Sequence, residues 1–300
     1  MNKTIGFFTV ATGEEHYYRL AQNLLRSYRY FSEKPLPFAI LADRENEYTR
    51  EFDDVILMEN TTNSYLDKLS LYDYLPYDIS VFIDADCLAY GDLNEILGLF
   101  DHADDFCCFG RVLPLDDKTG WFNYEDLGEL QSQVHYCVGL HGGIYYIRKT
   151  EKSAAIFATA KQIVKDYHKY HFKGNFSTPG DEPILALSMA LNGCKPIPHD
   201  TRAICCYWEH ENGMDLDVSK GRAWIQTQGK NTILVHWGTR FTRQLLYRKQ
   251  VAVLELLRCD EPSYSKWLCN AKYDMRILGT KVGSFAVRVK NKLKRMLHIA

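Results

Sequence analysis

The sequence is short of several things, and each shortage removes a class of explanation. No apolar run approaches the ~20 residues a membrane-spanning helix needs, so a spanning protein is not expected. Glycine (19) and proline (9) are not enriched in 300 residues, and no internal repeat or low-complexity tract occurs, which excludes a repeat array or a linker-like chain. Nine cysteines are present, but the number is odd, no C-x-x-C occurs, and two pairs are adjacent. That pattern argues against a disulfide framework and against a zinc site built from paired thiolates; buried thiols in a reducing compartment are expected instead. The opening MNKTIGFFTVATG has a lysine and an apolar run. The run is short, though, and leads into Gly13-Glu14-Glu15 with no small-residue cleavage site, so a first strand is expected rather than a signal peptide.

What is there is an ordinary globular composition, 46% apolar and 25% charged, in a chain long enough for one large α/β domain or for two small domains. The net charge of −2 is unevenly spread. Residues 281–300 hold six Lys/Arg and no acid, which leaves 30 basic against 38 acidic side chains in the rest. An acidic body with a basic tail is a poor nucleic-acid binder and is compatible with an anionic membrane surface.

Along the chain, strands are expected at 4–10, 37–42, 53–58 and 79–83, alternating with helices at 14–31 and 64–75. Short apolar strands alternating with helices predict an α/β fold with a mostly parallel sheet and helices on both faces. The second half is less regular, with strands at 105–110, 142–148, 202–208 and 232–237 and helices at 151–170 and 181–191. After His236 the chain reads as helical: 240–258, 262–273 and about 284–298. One domain over 1–240 and a helical appendage over 241–300 are expected.

Ligands of such sheets bind beyond the carboxyl ends of the strands. Three of those ends carry polar or permissive residues: Ala11-Thr12-Gly13, Asp43, and Asp84-Ala85-Asp86. Two carboxylates one residue apart at a strand end can reach one hard cation, Mg²⁺ or Mn²⁺, that also holds substrate phosphates; they can equally be a capped turn. His236, at the end of TILVHW, is either a third ligand or a packed imidazole. Asp181-Glu182, ahead of Pro183, either complement a helix dipole or aim carboxylates into a cleft. Gly142-Gly143 open a strand, as a turn or as a place where a ligand meets backbone. Arg240 has the chemistry for a phosphate.

Taken in order, TVATG, Tyr17-Tyr18, LADRE, Lys68 before LYDYLP, VFIDADCLAYGDL, HGGIYYIRK, GDEPILALSMA and VHWGTR resemble the GT-A-fold nucleotide-sugar glycosyltransferases, nearest to the retaining glycogenin-like and bacterial lipopolysaccharide-galactosyltransferase group. The resemblance covers roughly residues 4–243. It implies a Rossmann-like, mostly parallel mixed sheet flanked by helices, and transfer of a sugar from a UDP-sugar to a hydroxyl acceptor, a glycan or a lipid-linked one. It implies that Asp84, Asp86 and His236 hold Mn²⁺ (or Mg²⁺). Thr9, Ala11, Thr12 and Tyr17 would contact the uridine, with Lys68, Ala85 and Arg240 near the nucleotide or its phosphates. Gly142 and Gly143 would lie under the donor sugar, Asp181 would bind its hydroxyls, and Glu182 stands where the group often has glutamine and where blood-group-type relatives have a proposed nucleophile.

The chain departs from that pattern in its late motif, His236-Trp237-Gly238-Thr239-Arg240, which is a residue short and lacks Lys-Pro-Trp. It departs again in His141-Gly142-Gly143, which replaces Asn-x-Gly. Three other readings are weighed. A haloacid-dehalogenase-like phosphatase also ends a strand in D-x-D, but near its N-terminus. A nucleotidyltransferase wants a glycine-rich loop that TVATGEEHYY lacks. A non-catalytic carbohydrate binder on the same fold would bind nucleotide without turnover. A cytoplasmic placement is expected, with 281–300 either a basic amphipathic segment on the inner face of a membrane or a helix packed on the domain.

Overall fold

The computed structural model describes residues 4–173 and 179–296; in the last helix, the side chains of 281 and 283–296 lie outside the described part. The strands are β1 (Ile5–Ala11), β2 (Phe38–Ala42), β3 (Asp54–Leu57), β4 (Ile79–Ile83), β5 (Cys87–Ala89), β6 (Phe106–Leu113), β7 (Cys137–Arg148), β8 (Ile197–Pro198), β9 (Ile204–Cys206), β10 (Met214–Asp217), β11 (Arg222–Ile225), β12 (Lys230–Asn231) and β13 (Leu234–His236). The helices are α1 (Glu15–Phe31), α2 (Asn94–Leu97), α3 (Glu151–Ile163), α4 (Asp181–Leu191), α5 (Tyr207–His210), α6 (Leu245–Arg258) and α7 (Ser263–Met296), with short 3₁₀ segments between them. The chain forms two compact units, residues 1–206 with 232–236, and 207–231 with 237–300.

The first unit is built on a seven-stranded sheet of order β3-β2-β1-β4-β7-β6-β8. β3, β2, β1 and β4 pair in parallel, and β7 runs antiparallel between β4 and β6. The near-continuous apolar strands IGFFTVA, FAILA and ISVFI make this possible, because a strand covered on both faces needs apolar side chains on both. Phe7 packs edge-on against Tyr28 of α1 on one side, while its neighbour Phe8 meets Phe82, which stacks on Tyr145. The core on this second side continues through Phe106 to Phe157 of α3 and the buried face of α4. A small second sheet, β5-β13-β9, lies in the same unit; it brings residues 87–89, 234–236 and 204–206 together. In the second unit, β10, β11 and β12 form an antiparallel meander, and α6 and α7 follow.

Several expectations need correcting. The segment expected as an α-helix over 64–75 winds as a 3₁₀ helix, Tyr65–Tyr74. Asp67, in its first turn, bends back to accept from Thr62 N–H and Oγ1 and from Thr12 Oγ1, which ties the turn to two loops. β7 begins five residues before Gly142, and residues 202–208 contain only the three-residue β9 before the chain turns into α5. The two helices expected at 262–273 and about 284–298 are one, Ser263–Met296; the intervening Met, Arg, Ile, Leu and Lys are good helix formers and no proline interrupts them. Residues 297–300 of the expected tail lie outside the described residues.

At the bulge between Cys108 and Gly110, a Cβ on Gly110 would stand 2.3 Å from the Gly139 carbonyl oxygen. Gly110→Ala is therefore expected to cost about 2–4 kcal/mol of stability. The measurement is a urea midpoint; an unchanged midpoint would show that β6 and β7 do not approach so closely.

Candidate active site

Because β1, β2 and β4 are parallel, Ala11-Thr12, Asp43 and Asp84-Ala85-Asp86 leave the sheet at one edge. β7 runs the other way and reaches the same edge earlier in its course, where Gly142 and Gly143 precede the pair Ile144–Ile83. The Asp84 N–H donates to the Gly143 carbonyl at 3.0 Å, which fixes the turn. His236 arrives last, on β13, level with Cys87.

Around this edge the charges are buried and paired. Lys68 Nζ lies 2.7 Å from Asp84 Oδ2 and 3.2 Å from Asp181 Oδ2, above the Phe82 ring. Burial alone would push the ammonium pKa down; Asp181 and Asp84 more than offset it and hold the group above its usual range. Asp181, at the start of α4, also accepts from the Tyr145 hydroxyl at 3.1 Å. Burial pushes the Asp84 carboxyl up, with Lys68 pulling against it. His236 Nε2 stands 3.0 Å from Asp86 Oδ1 and 3.6 Å from Asp84 Oδ2. Burial favours the neutral ring, yet Asp86 and then Asp84 hold its pKa above the ordinary histidine value.

Glu182 is placed by one backbone contact. Its Oε1 accepts the Gly142 N–H at 2.7 Å, and a Cβ on Gly142 would stand 2.3 Å from that oxygen, so any side chain there would push Glu182 from this position. Burial and the neighbouring Asp181 push the Glu182 carboxyl up to about 7, with Lys68 and the Gly142 N–H pulling back. Gly143 is similarly confined: a Cβ there would stand 2.9 Å from both His141 Cε1 and His236 Nδ1.

A divalent cation was expected on Asp84, Asp86 and His236. Carboxylate oxygens of both aspartates converge on one imidazole nitrogen, and the positive charge of Lys68 already sits on the outer one. By donor type two hard oxygens and one imidazole suit Mn²⁺; Asp84, Asp86 and His236 are not among the triads whose ligand atoms all lie within 4.8 Å of one another. Ligand atoms of Asp86, Cys87 and His236 lie within 4.8 Å of one another, as do those of His141, Cys206 and His236.

Of the residues expected on the nucleotide, Thr9 and Ala11 are buried on β1. The Thr12 hydroxyl donates to Asp67 at 2.9 Å. Gly13 takes φ +74°, with its N–H on Asp43 and its carbonyl accepting from Arg44 at 2.6 Å; Tyr18 also donates to Asp43. Tyr17 is 37% exposed on α1, and Ala85 is buried between the aspartates. Arg240 belongs to the second unit, exposed, its guanidinium 4.6 Å from the centre of the Phe241 ring. Sequence reasoning missed Tyr145 and Asp67 as holders of Asp181 and Thr12, and it missed the two cysteines beside His236. Period-two alternation could have pointed Tyr145 inward, but nothing local pairs residues 87, 206 and 236.

No family model matches this sequence, and no curated protein does. Solved structures do. The galactosyltransferase LgtC in complex with donor and acceptor sugar analogs matches with a TM-score of 0.51 at 15% identity, over 83% of this chain and 94% of that one. An active-site mutant of LgtC matches at 0.50 and 15%, over 83% and 95%. The WbbM bifunctional glycosyltransferase matches at 0.48 and 14%, over 79% of this chain; the match spans 46% of WbbM. The likeness to LgtC establishes the fold, which is that of the GT-A glycosyltransferases, with its mixed seven-stranded sheet flanked by helices.

Removing the Lys68 charge strands two buried carboxylates. Lys68→Met is expected to lower stability by about 3–5 kcal/mol, and Mn²⁺ to restore part of it by supplying the missing charge. Melting curves with and without the ion test this; a variant as stable as the parent without metal would remove the charge argument. Glu182 gives a pH signature. Its folded pKa near 7 lies above the unfolded value, so the cost of ionising it is absent at about pH 4, grows with rising pH and is complete above 7. Glu182→Gln should change Tm little at about pH 4 and raise it by roughly several degrees at about pH 8. An equal gain at both would contradict the assignment.

Proposed function

We propose that this chain is a metal-dependent glycosyltransferase that moves a sugar from a UDP-sugar to a hydroxyl on a glycan acceptor, with retention of configuration. The observation that carries the proposal is the meeting of Asp84, Asp86, His236, Lys68 and Glu182 at the carboxyl edge of a GT-A sheet.

Asp84, Asp86 and His236 would hold Mn²⁺, which supplies Lewis-acid charge to the diphosphate of the donor. Lys68, paired with Asp84 and Asp181, would supply an ammonium charge to the phosphate oxygens. Asp181, held by Tyr145, accepts from sugar hydroxyls. Thr12 would stand nearest the nucleotide, with Thr9, Ala11 and Ala85 buried behind it, and the half-open ring of Tyr17 offers a stacking face.

Gly142 and Gly143 would lie under the sugar, with the Glu182 carboxyl between it and the Gly142 backbone. The bond between the anomeric carbon and the diphosphate oxygen breaks, with its electron pair leaving on UDP. The acceptor oxygen bonds to that carbon from the same face, and its proton passes to the departing phosphate oxygen. A Glu182 carboxyl titrating near 7 and tied to the Gly142 N–H suits stabilisation of the developing positive charge and a hydrogen bond to the sugar. An ionised Glu182 attacking the anomeric carbon would instead give a covalent intermediate, with the same stereochemical outcome.

The exposed Tyr264, Trp267, Leu268, Met275, Leu278 and Val282 recur at helical spacing along α7, and basic residues crowd the sequence over 281–300. Both favour an acceptor presented at an anionic lipid surface. No helix among the described residues is long and apolar enough to cross a membrane.

Incubation with Mn²⁺ and a panel of UDP-sugars should release UDP with at least one of them. Asp86→Asn should lower that rate by roughly a hundredfold or more while leaving the protein folded. Folded protein that binds and turns over no nucleotide sugar, or an Asp86→Asn variant with full activity, would overturn the proposal.

A further inference from the structure

β13 sets His236 between two cysteines. His236 pairs with Cys87 on β5 and with Cys206 on β9, and residues level with one another on adjacent strands present their side chains on the same face. Both cysteines are buried. From β7, His141 closes the group: its Nε2 is 2.9 Å from Cys206 Sγ, and its ring centre is 5.6 Å from that of His236. The ligand atoms of His141, Cys206 and His236 lie within 4.8 Å of one another. The proposed transferase chemistry uses His236 and gives His141 and Cys206 nothing to do.

We propose that His141, Cys206 and His236 form a second cation site, selective for a thiophilic divalent ion such as Zn²⁺, that shares His236 with the aspartate pair. One thiolate and two imidazoles are the donor set of borderline, sulfur-seeking ions and a poor one for Mg²⁺. With ordinary zinc bond lengths, tetrahedral sulfur and nitrogen ligands stand roughly 3.5 Å apart, so Cys206 and His141 need to open by only about half an ångström. The protons can be followed. The Gly143 N–H points at His141 Nδ1 at 3.1 Å, so the neutral ring carries its proton on Nε2, facing the sulfur. On binding, the thiol proton leaves to solvent, His236 gives up any proton on the nitrogen that takes the ion, and the His141 ring proton shifts to Nδ1, at the cost of the Gly143 contact. Three protein ligands leave a fourth position for water.

Binding at this site does not depend on the transferase reading. Its consequence does: an ion that takes His236 removes the third ligand from the Asp84–Asp86 position, so the two ions exclude one another and zinc acts as an inhibitor.

The test uses Cd²⁺ as the probe, in full-length protein carrying Cys259→Ser and Cys269→Ser to remove the two cysteines that are not buried. Thiolate-to-cadmium absorption and equilibrium dialysis should report one ion per chain. Cys206→Ser should abolish the absorption and weaken binding roughly tenfold or more, and His141→Gln should weaken it by a similar factor. Asp84→Asn should leave the absorption in place, which separates this site from the aspartate site. Circular dichroism establishes folding, and if Cys206→Ser does not fold, His141→Gln decides. Folded protein with no thiolate absorption, or absorption that survives Cys206→Ser or, in that case, His141→Gln undiminished, overturns the proposal. If the absorption behaves as expected but no UDP-sugar is turned over, the second site stands and the transferase reading falls.

Discussion

The constraint on which the site depends is the neutralisation of buried charge. Asp84, Asp86 and Asp181 are brought to one sheet edge, where burial makes isolated carboxylates costly. Lys68 answers two of them and His236 the third, and the acids raise the pKa of each base above its usual value. The positions of the other elements serve this arrangement. The 3₁₀ segment of Lys68 is tied down through Asp67, α4 begins at Asp181, and Tyr145 on β7 supplies the hydrogen bond that keeps Asp181 turned inward. A divalent ion at Asp84 and Asp86 would replace protein cations with one of higher charge, so that ligand binding and electrostatic stability are the same event.

Much of the first unit was legible in the sequence because its signals are local. The strands of TIGFFTV, PFAILA and ISVFI announce themselves as short apolar runs, and α1 by its amphipathic spacing. Their alternation implies parallel pairing, and parallel pairing puts Ala11, Asp43 and Asp84 at one edge. What failed did so where tertiary contacts override a local pattern. Residues 65–74 look helical by composition, but the Asp67 carboxylate is recruited by Thr12 and Thr62. The expected break between 273 and 284 is absent: its two glycines weaken a helix but do not stop one that has already started.

The candidate site divides the same way. Asp84 and Asp86 are readable because they sit together at the end of a strand, and Asp181-Glu182 because they open a helix. The contact of Glu182 with Gly142 joins a helix start to a strand distant in sequence, and the glycine that permits it reads on its own as a turn. The cysteines were read as inert buried thiols from their spacing. That spacing describes chain neighbours; Cys206 meets His141 and lies level with His236 only because β9, β13 and β5 form a sheet that no segment foretells.

That small sheet also has a temporal side. β5 pairs with a strand nearly half the chain away, and β13 is the last strand of the first unit. Closing so long a loop is entropically slow, and a growing chain cannot attempt it until residue 236 has been made. The aspartates and Lys68 can be in place while the imidazole is still missing. The order of synthesis therefore makes His236 the last of these side chains to arrive: a nascent or truncated chain that holds β1–β4 still lacks it.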